Sequence, residues 1–271
     1  MSLTYVGEQI TIYGGLVLVI IGIIGNGINV LVFSTFRNYR TTPCSFYFLI
    51  ASIFNIIYVT INLISRIVSA GFGFDLTQTS ISWCKARQFS VFTFSLITLT
   101  CSCLATIDQF FATSRNVKLR QLSNIKWAHR IVVIVIIVWC LHGIPVILFD
   151  NISSITKTCV ITNTGLNVYS TIYLFIFICG IPVLTMVTFG YLAYCNIHLT
   201  RALAEQHADR QLVKMTLIQV FLVVGCIVPY SVFVAYSLIT SGISKNINQL
   251  IIEGFIYTIL ALVTYLYYTV C

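Results

Sequence analysis

Charged residues are scarce in this sequence. Only 8% of its 271 residues are Asp, Glu, Lys or Arg, whereas 58% are hydrophobic. A soluble domain of this size usually carries about 25% charged residues, because its surface has to face water. The scarcity excludes an ordinary soluble protein and indicates that lipid covers much of the surface.

The usual signatures of enzyme chemistry are also missing. The four histidines show no metal-ligand spacing with acids or cysteines, and there is neither a Gly-x-Ser-x-Gly element nor a phosphate-binding loop. We therefore expect no enzyme activity, no metal and no cofactor. The absence of an internal repeat disfavours an inverted-repeat transporter. A channel or transporter would also need polar residues at mid-membrane, and the sequence offers only Asn55, Asn62, Gln219 and His142.

Long charge-free hydrophobic runs are abundant. Several exceed the roughly 20 residues that a helix needs to cross a bilayer. They predict an all-α membrane protein, with residues 1–271 forming a single bundle of seven transmembrane helices. The predicted spans are residues 10–36, 45–68, 85–111, 128–149, 167–195, 211–239 and 250–271. No basic leader precedes the first run, so the first span is expected to act as its own insertion signal.

The net charge of +8 could suggest nucleic acid, but its distribution points to a membrane. With the N-terminus outside, more basic residues fall on the cytoplasmic side than on the outer side, as the positive-inside rule requires. We therefore predict a multi-pass plasma-membrane protein in a lipid bilayer, with an extracellular N-terminus and no nucleic acid partner. The cytoplasmic group is Arg37, Arg40, Arg115, Lys118, Arg120, Lys126, Arg130, Arg201, Arg210 and Lys214. The outer group is Arg66, Lys85, Arg87, Lys157 and Lys245.

Two features of the second outer loop agree with this orientation. Asn151-Ile152-Ser153 is a glycosylation acceptor triplet. Cys159 lies in the same loop, and Cys84 lies at the outer end of the third span, where disulfides form. We predict a Cys84–Cys159 disulfide that stabilises the protein by about 2–4 kcal/mol. The alternative is two free thiols.

A different short motif stands in each of several successive spans. In chain order they are Gly25-Asn26, Cys84, Asp108-Gln109-Phe110, Trp139, Cys159, Pro182 and Cys226-Ile227-Val228-Pro229. Their order and spacing resemble those of the rhodopsin-like (class A) G-protein-coupled receptors over nearly the whole chain, in a divergent form. The resemblance implies a receptor that binds an extracellular ligand and signals to heterotrimeric G proteins by rearranging its helices.

The resemblance implies a coupling role for the inner end of the third span. Asp108-Gln109-Phe110 stands where the family has Asp-Arg-Tyr, and Asp209 stands where the family often has an acid that locks the resting state through that arginine. With glutamine in place of arginine, the lock reduces at best to a Gln109–Asp209 hydrogen bond. We expect a looser resting state and weak or atypical coupling.

Other matches imply structural roles. Asn26 is expected to bond to the backbone of a neighbouring helix, and Trp139 either to pack or to face lipid. Pro182 and Pro229 should kink their helices. In the family, the sixth-span kink lets the inner half of that helix swing outward.

Several residues argue against particular ligands and ions. Asn55 replaces a sodium-binding aspartate, so no sodium site is predicted. Val91 stands where amine receptors have an acid, and residues 254–271 contain no lysine for retinal. His142 is expected to be neutral and bonded to backbone. An outer rim with basic and aromatic residues fits a short peptide ligand, as in invertebrate neuropeptide receptors. That rim comprises Arg66, Trp83, Lys85, Arg87 and Asp75.

Two alternatives remain open from the sequence. A chemosensory receptor would take small odorants instead of a peptide. The sequence ends before any Asn-Pro-x-x-Tyr motif, so we expect a fragment or a C-terminally truncated receptor. Together with Gln109, this leaves open a non-signalling or decayed receptor homologue.

Overall fold

The computed structural model describes residues 2–153, 158–199, 207–240 and 243–270. Within this part of the chain, seven helices are long and apolar enough to cross a membrane. The predicted seven-helix bundle is therefore confirmed. The helices are α1 Leu3–Thr35, α2 Pro43–Gly71, α3 Ile81–Thr113, α4 Ile125–Phe149, α5 Val168–Ile197, α6 Gln211–Ile239 and α7 Ile247–Val270.

Capping residues extend some helices beyond the predicted apolar spans. The Ser80 hydroxyl accepts a hydrogen bond from the Trp83 amide at 3.4 Å, and this bond starts α3. Asn124 accepts one from the Lys126 amide at 2.9 Å at the start of α4. Such caps satisfy amides that have no partner inside the helix. The connections also contain three short helices, Arg37–Arg40, Leu76–Thr79 and Val117–Arg120.

The helices differ sharply in how much of their surface the protein covers. In the most apolar 18-residue segment, 72% of the α3 residues are buried, against 17% for α4. Large apolar side chains point outward from the peripheral helices, among them Leu184 and Phe221, which are 70% and 76% exposed. A protein in water would bury such side chains, whereas lipid accepts them. Helix α3 is therefore the central helix of the bundle.

A small hairpin closes one end of the bundle and was not predicted from the sequence. Its strands, β1 Asp150–Ile152 and β2 Cys159–Ile161, are antiparallel, with Asn151 opposite Val160. Cys84 of α3 is bonded to Cys159, and their Cα atoms are 5.7 Å apart. The structure thus forms the predicted disulfide, which tethers the hairpin to α3. We call this end of the bundle the disulfide end, and the opposite end the Gln109 end.

Buried amides join α1, α2 and α7 in the middle of the bundle. The Asn26 Nδ2 donates to the Gly22 carbonyl at 2.9 Å and to the Tyr268 carbonyl at 3.1 Å. The Asn55 Nδ2 donates to the Asn26 Oδ1 at 3.2 Å. Asn26 thus bonds to the backbone of a neighbouring helix, as expected. Beside it, Gly25 faces α7, where an added Cβ would make ordinary van der Waals contact with backbone.

Helices α5 and α6 each widen into a π-helical turn shortly before a proline. The turn Leu174–Gly180 precedes Pro182, and the turn Val223–Ile227 precedes Pro229. Proline lacks an amide hydrogen and its ring collides with the carbonyl four residues earlier, so the regular ladder cannot continue through it. A π-turn absorbs this defect and is a common place for a helix to bend. Cys226 lies buried within the second of these turns.

Gly143 allows α4 to approach α3 closely. A Cβ at Gly143 would lie 2.7 Å from an atom of the Phe89 ring. Such a distance forces the ring or the helix to move, and overpacking of this kind costs roughly 1–3 kcal/mol. Gly143→Ala should therefore lower the melting temperature of the detergent-solubilised protein, as followed by thermal unfolding.

Gly27→Ala is the matched control for this substitution. A Cβ at Gly27 meets no atom of the described residues within 4 Å, and alanine favours helix over glycine. The control should leave the melting temperature unchanged or raise it slightly. Equal losses in the two variants would contradict the close packing of α4 on α3.

Candidate functional site

A cavity of about 340 Å³ opens between α2, α3, α5, α6 and α7. Arg66 of α2 and Arg87 of α3 line it, and Arg87 lies one helical turn below the Cys84 disulfide. The cavity therefore lies toward the disulfide end. Tyrosine is the most frequent residue in its wall. The lining tyrosines are Tyr58, Tyr173, Tyr230, Tyr257, Tyr265 and Tyr268.

The two arginines lack acidic partners in the cavity. The Arg66 guanidinium lies over the Tyr257 ring, 5.3 Å from its centroid. Arg87 and Arg66 both lie near the Tyr265 hydroxyl and interact with it electrostatically. Each arginine keeps a buried Nε atom with no hydrogen-bond partner among the described residues. No carboxylate is among the cavity's lining residues in the part of the chain that the structure describes.

The tyrosine wall is held by specific contacts. Tyr173 stacks on Phe92 with ring centroids 4.5 Å apart, and its hydroxyl donates to the Phe92 carbonyl at 2.7 Å. The Tyr58 and Tyr268 rings lie 4.3 Å apart. Stacked and hydrogen-bonded rings keep few alternative rotamers, so the cavity is a preformed site.

The sequence anticipated only part of this cavity. Arg66, Arg87 and Val91 line it, but Trp83, Lys85 and Asp75 of the predicted rim do not. Trp83 instead donates to the Ser65 hydroxyl, and Asp75 caps a short helix by bonding to Thr77. An aliphatic side chain at Val91 cannot pair with an ammonium group, so the cavity is unsuited to a simple amine.

The aromatic wall was missed altogether, although the sequence contained a signal for part of it. Tyr257, Ala261, Tyr265 and Tyr268 recur at helical spacing in α7, and all four line the cavity. Tyrosine at one face of a transmembrane helix, instead of at its ends, could have pointed to a polar cavity.

The expectation for His142 was wrong. Its Nε2 is hydrogen-bonded to the Tyr169 hydroxyl at 2.5 Å and not to backbone. The ring also stacks on Tyr173, with centroids 5.6 Å apart. Nearby, the Trp139 Nε1 donates to the Thr100 hydroxyl at 3.0 Å, and its ring packs against Phe177. These contacts make His142 and Trp139 part of the packing between α3, α4 and α5.

The predicted coupling residues lie at the Gln109 end. Asp108 and Gln109 are buried, at 7% and 3% exposure. The Gln109 Oε1 has no hydrogen-bond partner among the described residues. Phe110 packs against Phe189 of α5, with ring centroids 5.5 Å apart. The side chain of Asp209 lies outside the described residues, so its predicted bond to Gln109 stays a prediction.

Residues 25–271 match the family model for the seven-transmembrane receptors of the rhodopsin family. The chain belongs to the rhodopsin family. It is therefore a receptor and not an enzyme, and its apolar helices make it a multi-pass membrane protein. A comparison with curated proteins finds no match to the sequence.

The receptor buries one acidic group at the disulfide end, outside the spans. Asp150 of β1 is 1% exposed, and neither of its carboxyl oxygens has a hydrogen-bond partner among the described residues. Burial raises the pKa of this carboxyl from 3.8 to about 6, although the positive charge of Lys85 opposes the shift. The ionised form is therefore disfavoured in the folded receptor.

A pH dependence of stability follows from the raised Asp150 pKa. Between about pH 4 and pH 6 the folded receptor binds this proton more tightly than the unfolded chain does, so its stability falls as the pH rises. Asp150→Asn should remove this contribution and raise stability at pH 7 by roughly 1–2 kcal/mol. Melting temperatures of the purified receptor and the variant between pH 4 and pH 8 would measure the difference.

Asp75→Asn is the control, since the Asp75 carboxylate accepts bonds from the Thr77 amide at 2.9 Å and hydroxyl at 2.7 Å. This variant should lose stability through a weakened cap and should keep the Asp150-dependent fall. If the receptor and Asp150→Asn had parallel pH profiles, the buried-carboxylate interpretation would be wrong.

Proposed function

We propose that this receptor binds an extracellular ligand, a short peptide, in the cavity at the disulfide end and passes the signal to heterotrimeric G proteins at the Gln109 end. The observation that carries this proposal is the cavity itself. It is preformed, it lies between five helices, and Thr264, which lines it, also bonds to the turn before the α6 proline. A ligand there can therefore bias the positions of helices instead of merely occupying space.

The proposal includes an orientation in the plasma membrane, with the N-terminus and the disulfide end outside. The excess of basic residues in the opposite set of connections supports it. Asn151 is exposed beside the disulfide-bonded strand, where a glycosylating enzyme could reach it. We infer that Asn151 carries a glycan.

The route from cavity to hinge runs through Thr264 of α7. Thr264 lines the cavity, and its hydroxyl lies 3.4 Å from the Cys226 carbonyl, to which it donates. That carbonyl belongs to the π-turn before Pro229, where the regular helical ladder is already broken. The same hydroxyl also donates to the Leu260 carbonyl at 3.0 Å within its own helix. A ligand that displaces α7 changes the support of this turn and favours an outward swing of the Gln109 end of α6.

Thr264→Val should raise basal signalling. Valine keeps the shape of threonine but removes the hydroxyl that ties the π-turn to α7. Loss of a bond worth about 1 kcal/mol shifts the equilibrium between resting and active states by about fivefold. Ligand-free dissociation of G-protein subunits in cells, normalised to receptor at the cell surface, would measure the shift.

Thr258→Val is the matched control in the same helix. The Thr258 hydroxyl donates to the Gly254 carbonyl of α7 at 2.9 Å and does not reach the hinge. Its basal signalling should equal that of the unsubstituted receptor. A rise in both variants would assign the effect to α7 itself and would contradict the route through Cys226.

One observation favours a second candidate function, a non-signalling homologue that binds ligand without coupling. Gln109 stands where the family has the arginine that contacts the G protein, and its amide oxygen is buried without a partner among the described residues. Neutral glutamine cannot form the ion pair with the adjacent Asp108 that holds the family's resting state.

Gln109→Arg separates the two functions. If the receptor couples, arginine beside buried Asp108 should form an ion pair and lower basal G-protein dissociation, by about tenfold for a gain of roughly 1.4 kcal/mol. Gln109→Lys is the control, since lysine adds the charge without the bidentate fork and should restore less of the lock. If the unsubstituted receptor causes no basal dissociation of G-protein subunits and both variants also cause none, the non-signalling homologue is supported.

A further inference from the structure

We propose that the cavity takes a ligand with a free carboxylate, which Arg66 and Arg87 bind, and an aromatic or apolar body, which the tyrosine wall covers. This inference rests on the proposed receptor function and names the chemical class of its ligand. A peptide with an unmodified C-terminus and a free arylalkanoic acid share this chemistry.

The first argument is the uncompensated positive charge of the cavity. The five acidic residues that the structure describes all lie elsewhere. Glu253 pairs with Lys245 at 2.6 Å, and Asp75 is engaged by Thr77. Asp150 is in the hairpin and Asp108 at the Gln109 end, while Glu8 lines a separate cavity between α1 and α7.

Two guanidinium groups without an acid in a partly enclosed site favour an anion strongly. An opposite charge there replaces the lost hydration of both groups and relieves their mutual repulsion. The family has many ligand classes, and this charge balance excludes those that carry only an ammonium group. A neutral ligand would leave the positive charges unpaired.

The second argument is the geometry of the donors. Arg87 lies near the Tyr265 hydroxyl and Arg66 lies over the Tyr257 ring, so both guanidinium groups are placed at the cavity wall. Their buried Nε atoms have no partners among the described residues. The planar fork of arginine matches the two oxygens of a carboxylate, and arginine stays protonated at any physiological pH, so the positive charge of the site is constant.

The third argument concerns the rest of the ligand. Beyond the arginines the wall consists of tyrosine rings and of aliphatic residues such as Val91, Leu174 and Ile178. Rings favour stacked or edge-on contact with another aromatic group. A volume of about 340 Å³ is at the small end of ligand sites, and it suits the end of a peptide or a small organic acid.

The test uses matched acids and amides on the purified full-chain receptor. One arm contains N-acetylated aromatic tripeptides as free acids and as C-terminal amides. The other arm contains phenylalkanoic acids and their primary amides. Ligand-induced rises in melting temperature measure binding without any G protein. We expect the acids of at least one arm to stabilise the receptor and their amides to bind at least about tenfold more weakly.

Substitutions then assign the effect to the arginines. Arg66→Gln and Arg87→Gln should each abolish stabilisation by the acid, and Arg87→Lys should retain part of it. Lys85→Gln removes a positive charge at the same end from a residue that does not line the cavity, so it should bind the acid normally. The melting temperature of each unliganded variant shows whether it is folded, and Arg66→Lys and Arg87→Lys, which keep the charge, replace the glutamine variants if those unfold.

The outcomes separate the ligand class from the receptor function. Stabilisation by tripeptide acids identifies a peptide C-terminus, and stabilisation by phenylalkanoic acids alone identifies a small organic acid. Arginine-dependent binding of an acid without G-protein dissociation would uphold the ligand class and reject the signalling. Equal binding of acids and amides, no stabilisation by any acid, or normal acid binding in both glutamine variants would overturn the ligand class and leave the signalling proposal standing.

Discussion

The whole structure depends on the absence of water around the middle of the helices. In lipid each backbone amide and carbonyl must find its partner inside the protein, and a helix is the arrangement that provides this within one segment. A break in the regular backbone hydrogen bonds of a helix therefore costs free energy, and the freed backbone groups need partners from elsewhere in the protein. In this receptor such breaks include the π-turns before Pro182 and Pro229, and Thr264 supports the second of them from a neighbouring helix.

The same constraint explains why the few polar residues inside the bundle matter so much. Asn26 bonds to the Tyr268 carbonyl and accepts from Asn55, so one side chain links three helices. Tyr267 donates to Ser102 of α3 at 3.0 Å, which adds the central helix to this set. Apolar contacts alone hold helices weakly against lipid, because lipid tails are equally apolar. The polar contacts fix which helices are neighbours and how each is rotated.

The helices could be predicted from the sequence because each depends only on its own run of apolar residues. The disulfide and the motif positions could be predicted from the order and spacing of the cysteines and the family motifs along the chain. The hairpin at Asp150–Ile152 could not be predicted, since a three-residue strand is too short to show an alternating pattern and depends on its pairing with Cys159–Ile161. The partner of His142 and the tyrosine wall depend on how α4, α5 and α7 are rotated against their neighbours. Those rotations arise from packing between distant segments, so the tyrosine spacing in α7 indicates a shared face but not the helices that this face meets.

Helix α7 contacts the α6 hinge, the cavity and the buried amide of Asn26. On one length of helix, Thr264 reaches the hinge of α6, Tyr265 meets Arg87 at the cavity, and the Tyr268 carbonyl accepts from Asn26. In the proposed mechanism the carboxylate of the ligand binds Arg87 beside Tyr265, and Thr264, the preceding residue of α7, bonds to the hinge. Adjacent residues of one helix therefore connect the proposed ligand site with the turn before Pro229.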